Sequence, residues 1–269
     1  MNSSNPPAAT PLASAATSEP DLTRRFGGVG RLYGEPAAAR FAAANICVVG
    51  IGGVGSWVAE ALARSAIGRL TLIDLDMVNE SNANRQIHAL DPAWGMAKVD
   101  AMRDRILAIN PACQVRVVED FATPENLASL LPGHDLIVDA IDQVRVKIAM
   151  AAWCAAHGMP LVMAGGAGGK QDPTRIRCDD LSRTEQDPLL AKVRAQLRKT
   201  HGFPKDKKRK FGIPTIYSTE PLQRPAACTT DDAPQGLSCA GYGSGVCVTA
   251  SFGFFAAAVA LRQFANPDA

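Results

Sequence analysis

A chain of 269 residues that is 47% hydrophobic and 20% charged has the composition of an ordinary soluble globular protein and enough apolar material for one extended α/β domain. Its net charge of +2 is too small to name a polyanion as partner, so any nucleic-acid surface must come from where the charges sit. The seven cysteines, Cys47, Cys113, Cys154, Cys178, Cys228, Cys239 and Cys247, include no C-x-x-C pair, which excludes the usual structural zinc and dithiol motifs and points to free thiols in a reducing cytoplasm.

Residues 1–20 are rich in Ala, Pro, Ser and Thr, with no basic residue before Arg24. They lack the charged start of a secretory signal and read as a disordered tail. Residues 24–41 are helix-prone, and Ile46-Cys47-Val48-Val49 is a short β-branched strand that runs into Gly50-Ile51-Gly52-Gly53-Val54-Gly55. A helix over 56–65 with Val58 and Leu62 on its apolar face, then a strand over 69–73 ending at Asp74, completes a β-α-β unit. A loop over 76–85 leads to a helix at 98–109, which Asn110-Pro111 closes, and 114–118 alternates as a third strand. Residues 135–140 form a near-continuous apolar strand of the kind buried in a parallel sheet, followed by a helix over 144–157 and a strand over 160–164. This alternation to about residue 170 predicts an α/β fold, a Rossmann-like doubly wound and mostly parallel sheet.

Residues 171–269 read as a C-terminal extension. It holds a basic helix at 187–200, a charged loop at 203–210, an edge strand at 211–218 and a long mobile loop at 220–245. The apolar stretch 246–261 is shorter than the roughly 20 residues that cross a bilayer and contains Thr249, Ser251 and Gly253, so it predicts a buried or interface helix and no membrane span.

Glycines between a strand and a helix let backbone amides approach phosphates at a helix N-terminus, where the partial positive charge favours anions. A turn that merely packs strand on helix, or a dinucleotide enzyme, would show the same G-x-G-x-x-G. Asp74 stands where a carboxylate accepts hydrogen bonds from ribose hydroxyls, so loop and acid together specify an adenosine-containing ligand without saying which.

Four further segments separate the chain from a dehydrogenase: Asp74-Leu75-Asp76, then Asn82-Ala83-Asn84-Arg85-Gln86, then Lys98, then Asp139-Ala140-Ile141-Asp142. In this order the string resembles the ubiquitin-activating-type superfamily, which includes the activators of small sulfur-carrier proteins. The resemblance implies an ATP-binding domain over 21–269, with Gly50, Gly52, Gly53 and Gly55 on the nucleotide, Asp74 on the ribose and Asp76 beside it. It places Asn82, Arg85 and Lys98 on the ATP phosphates and Asp142 on Mg2+, with Arg85, Lys98 and Asp142 as the catalytic set. Taken alone, Lys98 would read as part of a solvated helix face.

Further stretches, among them Arg31-Leu32-Tyr33-Gly34-Glu35, Asn84-Arg85-Gln86-Ile87-His88-Ala89-Leu90, Gly165-Gly166-Ala167-Gly168-Gly169 and Gln186-Asp187-Pro188-Leu189, resemble the tRNA threonylcarbamoyladenosine dehydratase family from about residue 24 to 261. That family uses ATP to activate the threonine carboxylate of a modified adenosine beside the tRNA anticodon, so that it closes into a ring with loss of water. The resemblance implies a cytoplasmic homodimer in which Arg31, with Arg25 as competitor, reaches the partner subunit's ATP. It also implies association with a cysteine desulfurase and sulfur-acceptor system. The basic set Lys192, Arg194, Arg198, Lys199, Lys205, Lys207, Lys208, Arg209 and Lys210, a solvated face by itself, becomes a tRNA contact. Cys239 matches a cysteine of that family and is either a reactive loop thiol or a spectator, whereas His88 reads as a structural or loop residue.

Two alternatives remain in view. An activator of a ubiquitin-like sulfur carrier is disfavoured by the missing C-x-x-C zinc ligands and by Gln143, where those enzymes often carry Asn. A non-catalytic sulfur-relay partner would have no physical need for Asp74, Arg85, Lys98 and Asp142.

Overall fold

The structure is a computed structural model that describes residues 19–206, 208–223 and 242–266; Lys207, Cys228 and Cys239 lie outside these. The chain starts with helices α1 (Leu22–Tyr33) and α2 (Glu35–Ala43), which break at Gly34, whose φ of 86° lies in the left-handed region that favours glycine. Then come β1 (Asn45–Val49), α3 (Gly55–Arg64), β2 (Arg69–Ile73), α4 (Lys98–Ile109), β3 (Gln114–Val118), the short α5 (Leu127–Leu130) and β4 (Leu136–Asp139). The remainder is α6 (Val144–His157), β5 (Leu161–Ala164), β6 (Ile176–Asp180), α7 (Pro188–Thr200), β7 (Pro214–Ser218) and α8 (Val246–Ala265).

The strands form one seven-stranded sheet in the order β3-β2-β1-β4-β5-β7-β6. All neighbours run parallel except β6 and β7, which pair antiparallel from Ile176 opposite Ser218 to Asp180 opposite Pro214. The strand expected at an edge near 211–218 is therefore interior: β7 is inserted between β5 and β6, and β6 is the edge. The burial of the two strands accounts for this, since Thr215, Ile216, Tyr217 and Ser218 are all buried whereas Arg177 and Cys178 face solvent.

Side chains alternate across the sheet with the period of two that an extended chain imposes. Ile46, Val48, Leu70, Leu72, Leu136 and Val138 face a core closed by α2, α3, α4 and α8. Cys47, Val49, Ile73 and Ile137 face the opposite core under α5, α6 and α7. Both faces are covered, as a parallel sheet requires.

α8 runs 20 residues, longer than its sequence pattern indicated, and is the one helix among the described residues long and apolar enough to cross a membrane. It lies on α3 instead. Gly253 makes the approach possible, because a Cβ there would sit 2.6 Å from Trp57 Cβ and 2.7 Å from the Val54 carbonyl oxygen. Phe252, Ala256 and Ala260 on the same helix are fully buried.

Candidate active site

Strand order reverses between β1 and β4, and in open α/β sheets that switch point leaves a crevice at the carboxyl ends of the strands. The glycine turn after β1 and the turn after β4 meet there. Gly50 has a φ of 89°, and a Cβ on it would lie 2.9 Å from Ile141 Cγ2. At Gly55 a Cβ would be 1.7 Å from the Gly50 carbonyl oxygen, so only glycine can start α3 so close to β1. No side chain caps α3; the Ser56 and Trp57 amides donate back to the Gly52 and Val54 carbonyls, which holds the glycine turn tightly at the start of the helix where it lines the crevice.

The crevice is an open cleft of about 1200 Å³, including its mouth. Of the residues singled out from sequence, Gly50, Gly52, Gly53, Asp74, Asp76, Arg85, Lys98 and Asp142 all line it. Asp74 straps the glycine turn to the end of β2, its Oδ2 accepting from the Ile51 amide at 2.6 Å and its Oδ1 from the Asp76 amide at 2.9 Å. Burial holds the Asp74 carboxyl above its ordinary pKa, and the charge of Lys98 opposes that rise.

Lys98 is the first residue of α4, yet its side chain is only 7% exposed, and its Nζ donates to Asp76 Oδ2 at 2.7 Å. A solvated helix face is thus excluded for it. Arg85 is carried by a tight turn in which Asn79 Oδ1 accepts from the Ser81 amide while Asn82 Oδ1 accepts from the Asn79 amide. Its Nη1 donates to the Ser81 carbonyl and to Asn84 Oδ1, and the Trp57 indole N–H donates to the Arg85 carbonyl at 2.9 Å. The arginine stem crosses Gly53, where a Cβ would stand 3.3 Å from it. Asp142 is exposed at the cleft wall after β4.

Other expected residues sit elsewhere. Asn82 is buried and its side chain shapes the turn that carries Arg85; it does not line the cleft. Arg31 lies on the exposed end of α1, also away from the cleft wall. Its competitor Arg25 is committed within the chain, donating to the carbonyls of Ala108 and Ile109 at the end of α4. Arg194 and Arg198 are half-buried, the first bonded to Thr184 and the second to the Pro204 carbonyl and stacked over Phe211. They leave the basic set as structural groups, whereas Lys192, Lys199, Lys205, Lys208, Arg209 and Lys210 are exposed.

Sequence reasoning missed the groups behind the cleft wall. Lys147 and Asp139 are both fully buried, with Lys147 Nζ donating to Asp139 Oδ1 at 2.9 Å and to the Ala164 carbonyl at 2.7 Å. Asp139 Oδ1 also accepts from the Ile141 amide at 3.2 Å, so one carboxylate ties the turn bearing Asp142 to the end of β5. Asp187 caps α7 and accepts from the Gly166 amide at 2.9 Å, fixing the Gly165–Gly168 stretch that forms the far wall. A lysine four residues into an apolar helix carries no sequence mark of burial. An Asp before a Pro-started helix does mark an N-cap, although not what else that cap holds.

Fold and cleft together define an α/β nucleotide-binding protein with a glycine turn at the switch point and cationic and acidic groups converging on it. The ThiF family pattern matches residues 28–261, and the chain belongs to that family. It is 51% identical to the tRNA threonylcarbamoyladenosine dehydratase of Escherichia coli over 89% of this chain and 93% of that protein. The enzyme of the same name from Haemophilus influenzae is 48% identical over 87% of this chain and 90% of its own length. Among solved structures, E. coli tRNA N6-threonylcarbamoyladenosine dehydratase in complex with ATP superimposes with a TM-score of 0.82 at 49% identity, covering 90% of this chain and 94% of that one.

Proposed function

We propose that this chain is an ATP-dependent tRNA threonylcarbamoyladenosine dehydratase. The identity to enzymes of that activity, extending over nearly the whole of both chains, is the observation that carries this assignment. A carboxylate resists acyl substitution because it would have to expel oxide. Attack of a carboxylate oxygen on a phosphorus of ATP forms a mixed anhydride and releases the remaining phosphates. A nucleophile of the carbamoyl group then attacks the acyl carbon and expels the phosphate, which takes with it the oxygen formally lost as water. Attack within one molecule proceeds at high effective concentration, so no covalent enzyme intermediate is needed.

The chain's own groups suit this chemistry. The glycine turn at the positive end of α3 cradles the phosphates, Asp74 takes the ribose, and Arg85 and Lys98 stabilise charge growing on phosphate oxygens. The exposed Asp142 carboxylate fits Mg2+, which binds through one or two carboxylates together with substrate phosphates. Bound there, the ion would neutralise phosphate charge and draw electrons from phosphorus. Arg31, exposed and, unlike Arg25, with no hydrogen bond to another described residue, is the arginine to reach a partner subunit's nucleotide in a homodimer. A cytoplasmic location follows from a tRNA substrate, and the family resemblance adds a cysteine desulfurase and sulfur-acceptor system as partners. Activation of a ubiquitin-like sulfur carrier is set aside, since the chain has no C-x-x-C pair to hold the zinc of those activators.

The test is mass spectrometry of nucleosides from tRNA incubated with the protein, ATP and Mg2+. Threonylcarbamoyladenosine should be replaced by a product one water lighter, and ATP consumption without that product would overturn the assignment.

A further inference from the structure

Outside the cleft, the most informative surface is an open groove between α6 and α7, about 1240 Å³ including its mouth. Its floor is small and apolar, formed by Val144, Ile148, Ala149 and Ala195, and its rim carries Arg145 and Lys192. Neither wall contains a single Asp or Glu, in the 14 residues of α6 or in the 13 of α7. Among the described residues, the carboxylate bonded at the rim is Glu125, which accepts from Arg145 at 2.6 Å in an exposed pair. An exposed pair of this kind contributes little and exchanges readily for another anion.

The groove and the ATP cleft share a rim in three places. Asp142 and Gln143 line the cleft, and the next residues, Val144 and Arg145, line the groove. Phe121 and Ala122 line the cleft and Pro124 the groove; Leu189 lines the cleft and Lys192, one turn further along α7, the groove. α6 also begins at this rim with no side chain capping its first amides, which leaves its positive end facing whatever lies there. A nucleoside that delivers its carboxylate to phosphates in the cleft must leave its flanking phosphodiesters at the mouth, and the groove, whose two helices carry cations and no carboxylate, is the path leading away.

Building on the assignment above, we propose that the α6–α7 groove seats the RNA strand next to the nucleoside being modified. Lys192 and Arg145 pair with the flanking phosphates, and the apolar floor takes the face of a ribose or a base. The charged loop holding Lys208, Arg209 and Lys210 is then a peripheral contact.

Lys192 and Ala195 are exposed and belong to no part of the ATP cleft, so Lys192→Glu and Ala195→Phe separate charge from shape without disturbing folding. Binding of substrate tRNA is measured by filter retention at several salt concentrations, with ATP affinity measured in parallel. Lys192→Glu should weaken tRNA binding about tenfold or more and lower the slope of log K against log salt by about one, because each phosphate contact releases condensed counterions. Ala195→Phe should weaken binding several-fold without altering the slope, and ATP affinity should stay within about twofold of wild type in both. If both variants bind tRNA like wild type while Lys208, Arg209 and Lys210 changed together to Ala do not, the RNA lies on the loop and the groove proposal is wrong. It is equally wrong if Ala195→Phe changes the mass seen by light scattering and leaves tRNA affinity intact, which would make the groove an interface between copies. Wild-type protein that neither binds nor converts tRNA would sink the functional assignment, and the groove proposal with it.

Discussion

Replacing Lys147 by Met tests how the cleft wall is held. The substitution roughly keeps the length of the side chain and removes the ammonium that faces Asp139, a carboxylate with no exposed surface and one oxygen that has no hydrogen-bond partner among the described residues. Burial pushes the Asp139 carboxyl above its ordinary pKa, and the ammonium 2.9 Å away is the main opposing influence. Without it, Asp139 must either stay charged in the core or fold with a proton bound. Binding a proton at pH 7 to a group that ordinarily releases it near pH 3.9 costs about 1.4 kcal/mol per unit over roughly three units, or about 4 kcal/mol. That agrees with the ~3–5 kcal/mol seen when one partner of a buried pair is removed.

The sign is fixed by the raised pKa. A carboxyl that binds its proton more tightly when folded favours folding at low pH, and its cost grows as pH rises above the unfolded pKa. Urea unfolding at pH 5, 6 and 7 should therefore show Lys147→Met less stable than wild type by about 4 kcal/mol at pH 7, with the deficit shrinking by about 1.4 kcal/mol per unit towards pH 5. Adding Asp139→Asn should restore at least about 2 kcal/mol at pH 7. A deficit below about 1 kcal/mol, or one that does not change with pH, would mean that the pair is not what holds this wall.

Asp142→Ala should abolish ATP-dependent turnover and leave the melting temperature unchanged, since the side chain is exposed and fills no core volume; turnover near wild type with Mg2+ would remove it from the site. Arg85→Ala should lower kcat by about a hundredfold to a thousandfold while Cys239→Ser retains measurable activity, compared by the yield of cyclised nucleoside; equal inactivity in two folded variants would bring a thioester step into the mechanism. Gly55→Ala puts a Cβ onto the Gly50 carbonyl and should lose ATP binding in calorimetry, with wild-type affinity refuting the packing described for the turn. His88 is buried with no partner among the described residues on either ring nitrogen and has its pKa pulled down to about 4 by burial and by the Lys98 and Arg105 charges. Its depressed pKa stabilises the fold above pH 6.5 and is lost towards pH 4, so His88→Leu should remove up to about 3 kcal/mol of acid destabilisation over that window, measured by urea unfolding.

The first five strands, and the helices between them except the four-residue α5, are readable because each carries one dominant period, and α5 is too short to show one. Residues 69–73, 98–109, 114–118 and 144–157 have the same limits in the sequence pattern and in the structure. The period fails at β6, Ile176-Arg177-Cys178-Asp179-Asp180, where an exposed edge strand offers only two buried residues and no apolar alternation. Missing β6 is what makes β7 look like an edge. In the site, the glycines and Asp74 are legible as a strand-turn-helix motif, whereas Arg85, Lys98 and Asp142 stand out only through the family resemblance, since Lys98 taken alone reads as part of a solvated face; all of them line one cleft except Gly55, which starts α3. Asp139 with Lys147, and Asp187 with Gly166, are not, because each joins two elements through residues whose local sequence looks like ordinary core or cap.

The packing of α8 on α3 bears on how the protein is made. Thr249 of α8 lines the same cleft as Gly53, so the nucleotide pocket is walled from the first and the last elements of the fold. On a ribosome adding roughly 5–20 residues each second, the glycine turn emerges roughly ten to forty seconds before that helix does. Through that interval the apolar face of α3, including Val58 and Leu62, lacks its helical cover, and the cleft lacks a wall. The β-α-β unit can form early from local contacts, whereas docking of α8 closes a loop spanning most of the chain and comes late. ATP therefore has no finished pocket to enter until α8 has emerged and docked, and nucleotide affinity depends on that docking.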